Sequence, residues 1–376
     1  MTIYLDCNAT TPIEPEVADV VLKYMTTEYG NAASRTHEYG LRAKKAVTDA
    51  RKTIASSLNV DVGELIFTSG ATESNNLTIF GLAEYGKANH KKHIVSTMIE
   101  HKSILEPLSE LEKRGFEITL LKPNSDGWVE PEAVKDAIRD DTLLLSVMQV
   151  NNETGVIQPI EEIADTIASQ DVFFHVDAAQ GFGKRNDSLR HKRIDLISLS
   201  SHKVYGPKGI GALVMKRRGY KRLPIKPLIY GGGQESGLRA GTLAVPLIAG
   251  FGKAVALADK YGKERAKACR KIKSSAISAL HSLKPVYHGD LGKSMPHIVN
   301  FSIPKLDSEA AILALKGIAA IANGSACNSK SYSHSHVLTA MDVEDDALGG
   351  AIRLSWCHLT EEIPWTEICD ALNRAH

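Results

Sequence analysis

The sequence predicts an α/β protein: a mostly parallel sheet of seven strands covered by helices on both faces, with a smaller α+β domain beside it. Three observations predict this. Short apolar runs recur through the middle of the chain. Helical patterns lie between several of them. A long helical stretch rich in Ala and Lys then leads to a segment of different character.

The strand candidates are Glu64–Thr68, His93–Ser96, Glu117–Leu121, Leu143–Val147, Phe173–Val176, Leu196–Ser200 and Ala212–Met215. Ser74–Tyr85, Lys102–Arg114 and Ile160–Ser169 have helical spacing between them. Continuous apolar strands alternating with helices are the pattern of a parallel sheet buried on both faces. The long helix is expected from Leu247 to about Leu283, leaving the sheet domain as a rod. Val299–Ser302, a helix over Ser308–Lys316 and the segment around Cys327 then suggest the smaller domain. The basic run Lys216–Lys226 reads as a solvated hairpin, and less readily as a docking patch.

The chain has 376 residues, enough for two domains and a large core. Its composition is ordinary for a soluble globular protein, with 43% hydrophobic and 24% charged residues. A formal net charge of +1 gives no electrostatic case for direct nucleic-acid binding or for an anionic membrane surface. No apolar stretch is long enough to span a bilayer, and no signal peptide is expected from the N-terminus. The five cysteines, Cys7, Cys269, Cys327, Cys357 and Cys369, are scattered and odd in number. They form neither a disulfide framework nor a zinc spacing, and they suit a reducing cytoplasm with a single working thiol.

Leu65 to Glu73 reads as a strand, a tight turn at Gly70 and a helix start. Thr72 and the free amides of that start could hold an anion, or Thr72 could simply cap the helix. Lys203 follows the apolar strand Asp195–Leu199 and precedes a Gly/Pro-rich turn, where α/β proteins keep ligands. A partly desolvated lysine amine loses its proton more readily, and a neutral amine forms a Schiff base. Taken alone, Lys203 is better read as a residue of a surface turn. The run Phe173–Gln180 changes that reading. It is a buried strand ending in Asp177, and an aspartate so placed keeps a pyridine nitrogen protonated. Gln180 is then placed to meet the ring's phenolic oxygen. Lysine, upstream aspartate and anion-holding turn together match what pyridoxal 5'-phosphate requires.

The chain resembles the cysteine desulfurases of the NifS/IscS type, within the class V aminotransferase group. The resemblance rests on Tyr4–Pro12, Gly30–Ser34, Thr68–Asn76, Glu100-His101, Val150–Val156, Asp177–Gln180, the Lys203 run, Arg239–Thr242 and Gly324–Cys327. It implies a fold type I pyridoxal-phosphate transferase, with a large domain over 14–257 and a small one from 1–13 and 258–376. It also implies that Ala71, Thr72, Ser200 and His202 hold the cofactor phosphate, that Asp177 and Gln180 meet the ring, and that Lys203 holds the cofactor. His101 would stack on the ring and move protons. Thr242 would reach the phosphate of a neighbouring subunit, hence a homodimer. Asn152, beside the cofactor, and Arg353 would grip the substrate carboxylate.

Cys327 sits in the small, polar run Ile321–His336, a composition that favours a mobile loop. Lys330, His334 and His336 could favour its thiolate. The resemblance makes it the acceptor of sulfur from L-cysteine, passing a persulfide to an acceptor protein. The Asn-Gly-Ser-Ala-Cys run and the short tail after Arg353 look more like the desulfurases that feed DNA phosphorothioation. Iron–sulfur assembly and tRNA thiolation are the alternatives, as are a selenocysteine lyase, a plain aminotransferase or a non-catalytic scaffold of the same fold. Two positions depart from the family pattern. Trp356-Cys357-His358 stands where a glycine is usual near 357, and Cys7 stands at a position that the resemblance puts near the active site. Both thiols read more readily as packing residues than as relays.

Overall fold

The computed structural model describes residues 2–219, 221–323 and 334–375. After β1 (Ile3–Tyr4) come α1 (Pro15–Thr26) and α2 (Glu38–Leu58). The sheet is then built from β2 (Leu65–Thr68), β3 (His93–Thr97), β4 (Glu117–Leu121), β5 (Thr142–Met148), β6 (Phe173–Asp177), β7 (Leu196–Ser200) and β8 (Gly211–Met215). Their order is β2-β8-β7-β6-β5-β3-β4, with β8 antiparallel to both neighbours and the remaining pairs parallel. All seven expected strands are present, most shifted by one residue at an end. Every residue of β5, β6 and β7 is buried, which is why they read as mainly apolar runs; the polar Ser146, His175 and Ser198 within them satisfy one another by hydrogen bonds. β4 is the half-exposed edge, and Arg139 bridging Glu117 and Asp141 places charges along it.

Helices α3 (Ala71–Ala88) and α4 (Lys102–Lys113) cover one face through Leu77, Leu82, Leu108 and Leu111. α1, α2 and the first part of α7 cover the other, after the short α5 (Pro131–Ala137) and α6 (Ile160–Thr166). α7 runs from Val245 to Leu280. Its Ile248–Ala258 stretch joins the core against the large sheet, and its Cys269, Ala276 and Leu280 join a second core. That second core lies on a four-stranded antiparallel sheet, in the order β12 (Ala322–Asn323), β13 (Ala351–Ser355), β10 (Ile298–Ser302), β9 (Val286–Tyr287). β1 pairs separately with β11 (Ala319–Ala320). Among the described residues no helix is long and apolar enough to cross a membrane.

The basic run is less solvated than expected. An antiparallel bridge joins Arg218 to Lys221, but two of the cations turn inward. Arg218 pairs with Asp195 and lies over the Phe173 ring, and Lys216 donates to the carbonyls of Leu189 and His191. The apolar stems of long cations cover the sheet edge while buried acceptors take the charge, which composition alone does not reveal.

Candidate active site

The C-terminal ends of β2, β3, β5, β6 and β7 share one edge of the large sheet, and a cavity of roughly 470 Å³ opens there. It brings together Ala71, Thr72, His101, Asn152, Asp177, Gln180, Ser200, His202, Lys203 and Arg353. Thr242 is exposed and outside it. Cys327 lies outside the described residues.

The turn after β2 is made possible by close packing. A Cβ on Gly211 would lie 2.6 Å from Gly70 Cα and 2.4 Å from the Leu199 carbonyl oxygen. α3 begins at Ala71, with Gly70 at the cap position and no side-chain cap. Thr72 is therefore in the first turn, lining the cavity, and is not the cap. Glu73 closes that turn instead, accepting from the Ser69 N–H at 2.7 Å and pairing with Arg239.

β6 ends on Asp177, whose Oδ1 accepts from the Ala179 N–H at 2.9 Å and whose Oδ2 accepts from Asn75 Nδ2 at 2.8 Å. The other proton of that amide goes to Ser103 Oγ, also at 2.8 Å. Ser103 in turn meets His101: its backbone N–H donates to Nδ1 at 3.1 Å, and its hydroxyl lies 2.9 Å from the same atom. His101 caps α4 in this way. Because Nδ1 accepts, the proton of the neutral ring sits on Nε2. Burial pushes the His101 pKa down; Asp177 opposes that and Lys203 adds to it. The imidazole is thus neutral near pH 7.

Lys203 ends the short helical turn after β7. Its amine donates to the Asn8 carbonyl and, at 2.7 Å, to that of Ala9. Burial, then Lys203 and Lys208, push the neighbouring His202 down to about 4, and its Nδ1 lies 3.1 Å from Thr10 Oγ1. Gln180 Nε2 donates to the Asn8 carbonyl at 3.0 Å.

Arg353 enters from β13. Nη2 pairs with Asp6 Oδ1 at 2.7 Å, and Nη1 donates to the Asn152 carbonyl at 3.0 Å. Asn8 Nδ2 donates to that same carbonyl at 2.6 Å. Cys7 and Cys357 pack together with Tyr205, outside the cavity lining.

Sequence reasoning named Asn8, Asn75 and Ser103 only as parts of runs or not at all. A buried asparagine inside a helix, which must find partners for its amide, was the available signal for Asn75. Glu100 was passed over as well. It is wholly buried, with Oε1 accepting from Thr97 Oγ1 and the Met148 N–H at 2.8 Å each. Its Oε2 has no hydrogen-bond partner among the described residues, and burial pushes the carboxyl up to about 8.

The described residues on either side of Cys327 pack against residues of this cavity or their chain neighbours. Ala322 and Asn323 pair with Arg353 and Ile352. On the far side, Ser335 Oγ donates to Glu153 and His336 Nε2 meets the Glu100 carbonyl at 2.9 Å.

The profile of the family described as Aminotransferase class-V matches residues 3–362. The chain is 45% identical over 362 residues to a mitochondrial cysteine desulfurase of Arthroderma benhamiae, covering 96% of this chain and 71% of that one. It is 43% identical over 366 residues to the cysteine desulfurase IscS of Vibrio cholerae, covering 96% and 89%. The solved structure of DndA from Streptomyces lividans is 44% identical, with a TM-score of 0.83 over 94% of this chain and 99% of that one. The chain belongs to the class V aminotransferases, among the cysteine desulfurases. Enzymes of this group use pyridoxal 5'-phosphate, and the cavity fits that group. Gln180 Oε1 and Asn152 Oδ1 are buried there with no hydrogen-bond partner among the described residues, and Asp177 is a buried carboxylate in the same lining.

Proposed function

We propose that this cysteine desulfurase converts L-cysteine to L-alanine and that Cys327 receives the sulfur as a persulfide. The convergence of Lys203, Asp177, His101 and Arg353 on one cavity carries this reading. Arg353, held by Asp6, offers a fork to the substrate carboxylate, and Asn152 orients it. Ala71, Thr72, Ser200 and His202 would hold the cofactor phosphate, Asp177 the ring nitrogen and Gln180 the ring oxygen. Bound pyridoxal phosphate supplies an electron sink for the substrate Cα–H bond. Lys203 takes the Cα proton, and His101 holds and passes a proton at Nε2.

The Cys327 thiolate then attacks the substrate sulfur. An S–S bond forms and the substrate C–S bond breaks, its electron pair staying with the carbon fragment that is protonated to alanine. No external oxidant is needed. Cys327 is four residues beyond Asn323, a tether of about 14 Å when extended. That length supports its reaching a cavity whose wall includes Arg353.

Replacing Cys327 by Ala should stop alanine release from cysteine while the cofactor absorbance remains. Alanine released at the full rate would overturn the persulfide assignment and favour lyase chemistry of the selenocysteine-lyase kind, which does not need this thiol. The reading extends to a cytoplasmic homodimer in which Thr242 serves the partner's site, with the small domain, from 1–13 and 258–376, carrying Cys327. It also takes DNA phosphorothioation as the destination of the sulfur, supported by the run ending at Cys327 and by the likeness to DndA. The equal likeness to IscS keeps iron–sulfur assembly as the second destination. Normal DNA sulfur content in a deletion strain would overturn the first destination and leave iron–sulfur assembly or tRNA thiolation.

A further inference from the structure

A second cavity, of roughly 510 Å³, lies between the middle of α7, the turn after Gln180 and the loop over residues 291–297. It is as large as the active-site cavity and differs from it in charge. Its lining carries five lysines and arginines and, among the described residues, no aspartate or glutamate. In a chain of net charge +1, that is a local segregation of positive charge.

Two of these cations have donor capacity to spare. The Lys184 amine has the Gln180 carbonyl at 3.3 Å and His297 Nε2 at 3.5 Å, and burial pushes it down to about 8. His297 is buried, and burial holds it neutral, so it neither repels nor replaces an anion. Arg265 is nine-tenths buried. Its Nη2 pairs with Glu14 at 2.6 Å, whereas Nη1 is buried with no hydrogen-bond partner among the described residues. Lys273 is different: Ser294 Oγ at 2.6 Å and the carbonyls of Leu291 and Met295 satisfy it, so it contributes field only. Arg185 and Arg270 are exposed at the rim. Lys184 thus holds its charge against neutral partners only, and Arg265, paired with Glu14, keeps one buried N–H group without an acceptor; both are costly unless something supplies the missing partner. Ile277 and Leu291 add an apolar wall.

We propose that this second cavity binds a small organic phosphate monoester, with the phosphate between Lys184 and Arg265 and the carbon skeleton against Ile277 and Leu291. A phosphate brings two charges and several acceptor oxygens to donors that lack them. The size of the cavity leaves room for an organic part beyond the anion.

The test is calorimetric titration of the holoenzyme, its pyridoxal-phosphate site filled, with glycerol 3-phosphate at constant ionic strength. One saturable site per chain is expected, with no heat from glycerol. Lys184→Met should weaken binding roughly ten- to a hundredfold, the range for a charged hydrogen bond. Arg270→Ala, at the exposed rim, should weaken it less and keeps the test alive should the buried variant fail to fold. Absence of saturable binding would overturn the proposal. So would binding that both variants leave unchanged, which would place the ligand elsewhere.

Discussion

The two walls of the active-site cavity are assembled from different kinds of sequence. The sheet wall takes Asp177, Ser200 and Lys203 from strand ends, and its hydrogen bonds run from Asp177 through Asn75 and Ser103 to His101. The facing wall takes Arg353 from β13 and ties it to Asp6, 347 positions away. One wall is made where the sheet stops, so a correct sheet almost dictates it. The other exists only when the first residues of the chain, the 152 turn and the last strand come together. Chemistry is expected to sit on the first wall and substrate recognition on the second.

The largest effect should come from the first wall. Lys203→Ala removes both the cofactor anchor and the proposed base, and alanine release should fall roughly a thousandfold or more. Steady-state turnover with cofactor content measured in parallel checks it. A variant retaining a tenth of the activity would break the assignment of chemistry to this wall.

On the second wall the effect should fall on substrate affinity. Arg353→Lys keeps the charge and loses the fork. KM for cysteine should rise roughly ten- to a hundredfold, with a smaller change in kcat. Asp6→Asn should shift KM the same way by less, since it leaves the guanidinium in place with a weaker partner. If Arg353→Lys lowered kcat alone, the division between the walls would be wrong.

The same contrast explains what was legible in the sequence. The large-sheet strands announce themselves because most of their residues are apolar, and Asp177, at the end of β6, and Lys203, just past β7, stand out as polar residues there. Strand ends are less sharp. Glu64 was expected to begin a strand, but its side chain folds back to the Asp61 N–H and caps a short turn. β13 is as long as most large-sheet strands, but among its buried residues stands an arginine, so periodicity alone does not mark it. Its Arg353 was found only through family likeness. Asn75, Ser103 and Asp6 were missed as site residues because their roles are to orient other groups. Such roles arise from three-dimensional neighbours and leave no local pattern. Cys327 shows the limit from the other side: the sequence names it, and the described residues on either side only bound where it can reach.

The smallest effect concerns Glu100, behind the sheet wall. Its folded-state pKa of about 8 lies above the usual value of 4.5, so between these values the folded chain holds a proton that the unfolded chain releases. Its contribution to stability is therefore full below about pH 4.5 and is lost as the pH rises toward 8. Glu100→Gln keeps an acceptor for Thr97 and the Met148 N–H, and it cannot ionise. The variant should match the parent near pH 5 and melt higher at pH 8.5, by roughly a few degrees. Melting curves of the two chains across this range check it. If they stay parallel, Glu100 is ionised in the folded state, and a second carboxylate charge behind Asp177 would have to be added to the sheet wall. That would strengthen the wall's pull on a protonated ring and leave the arginine wall untouched.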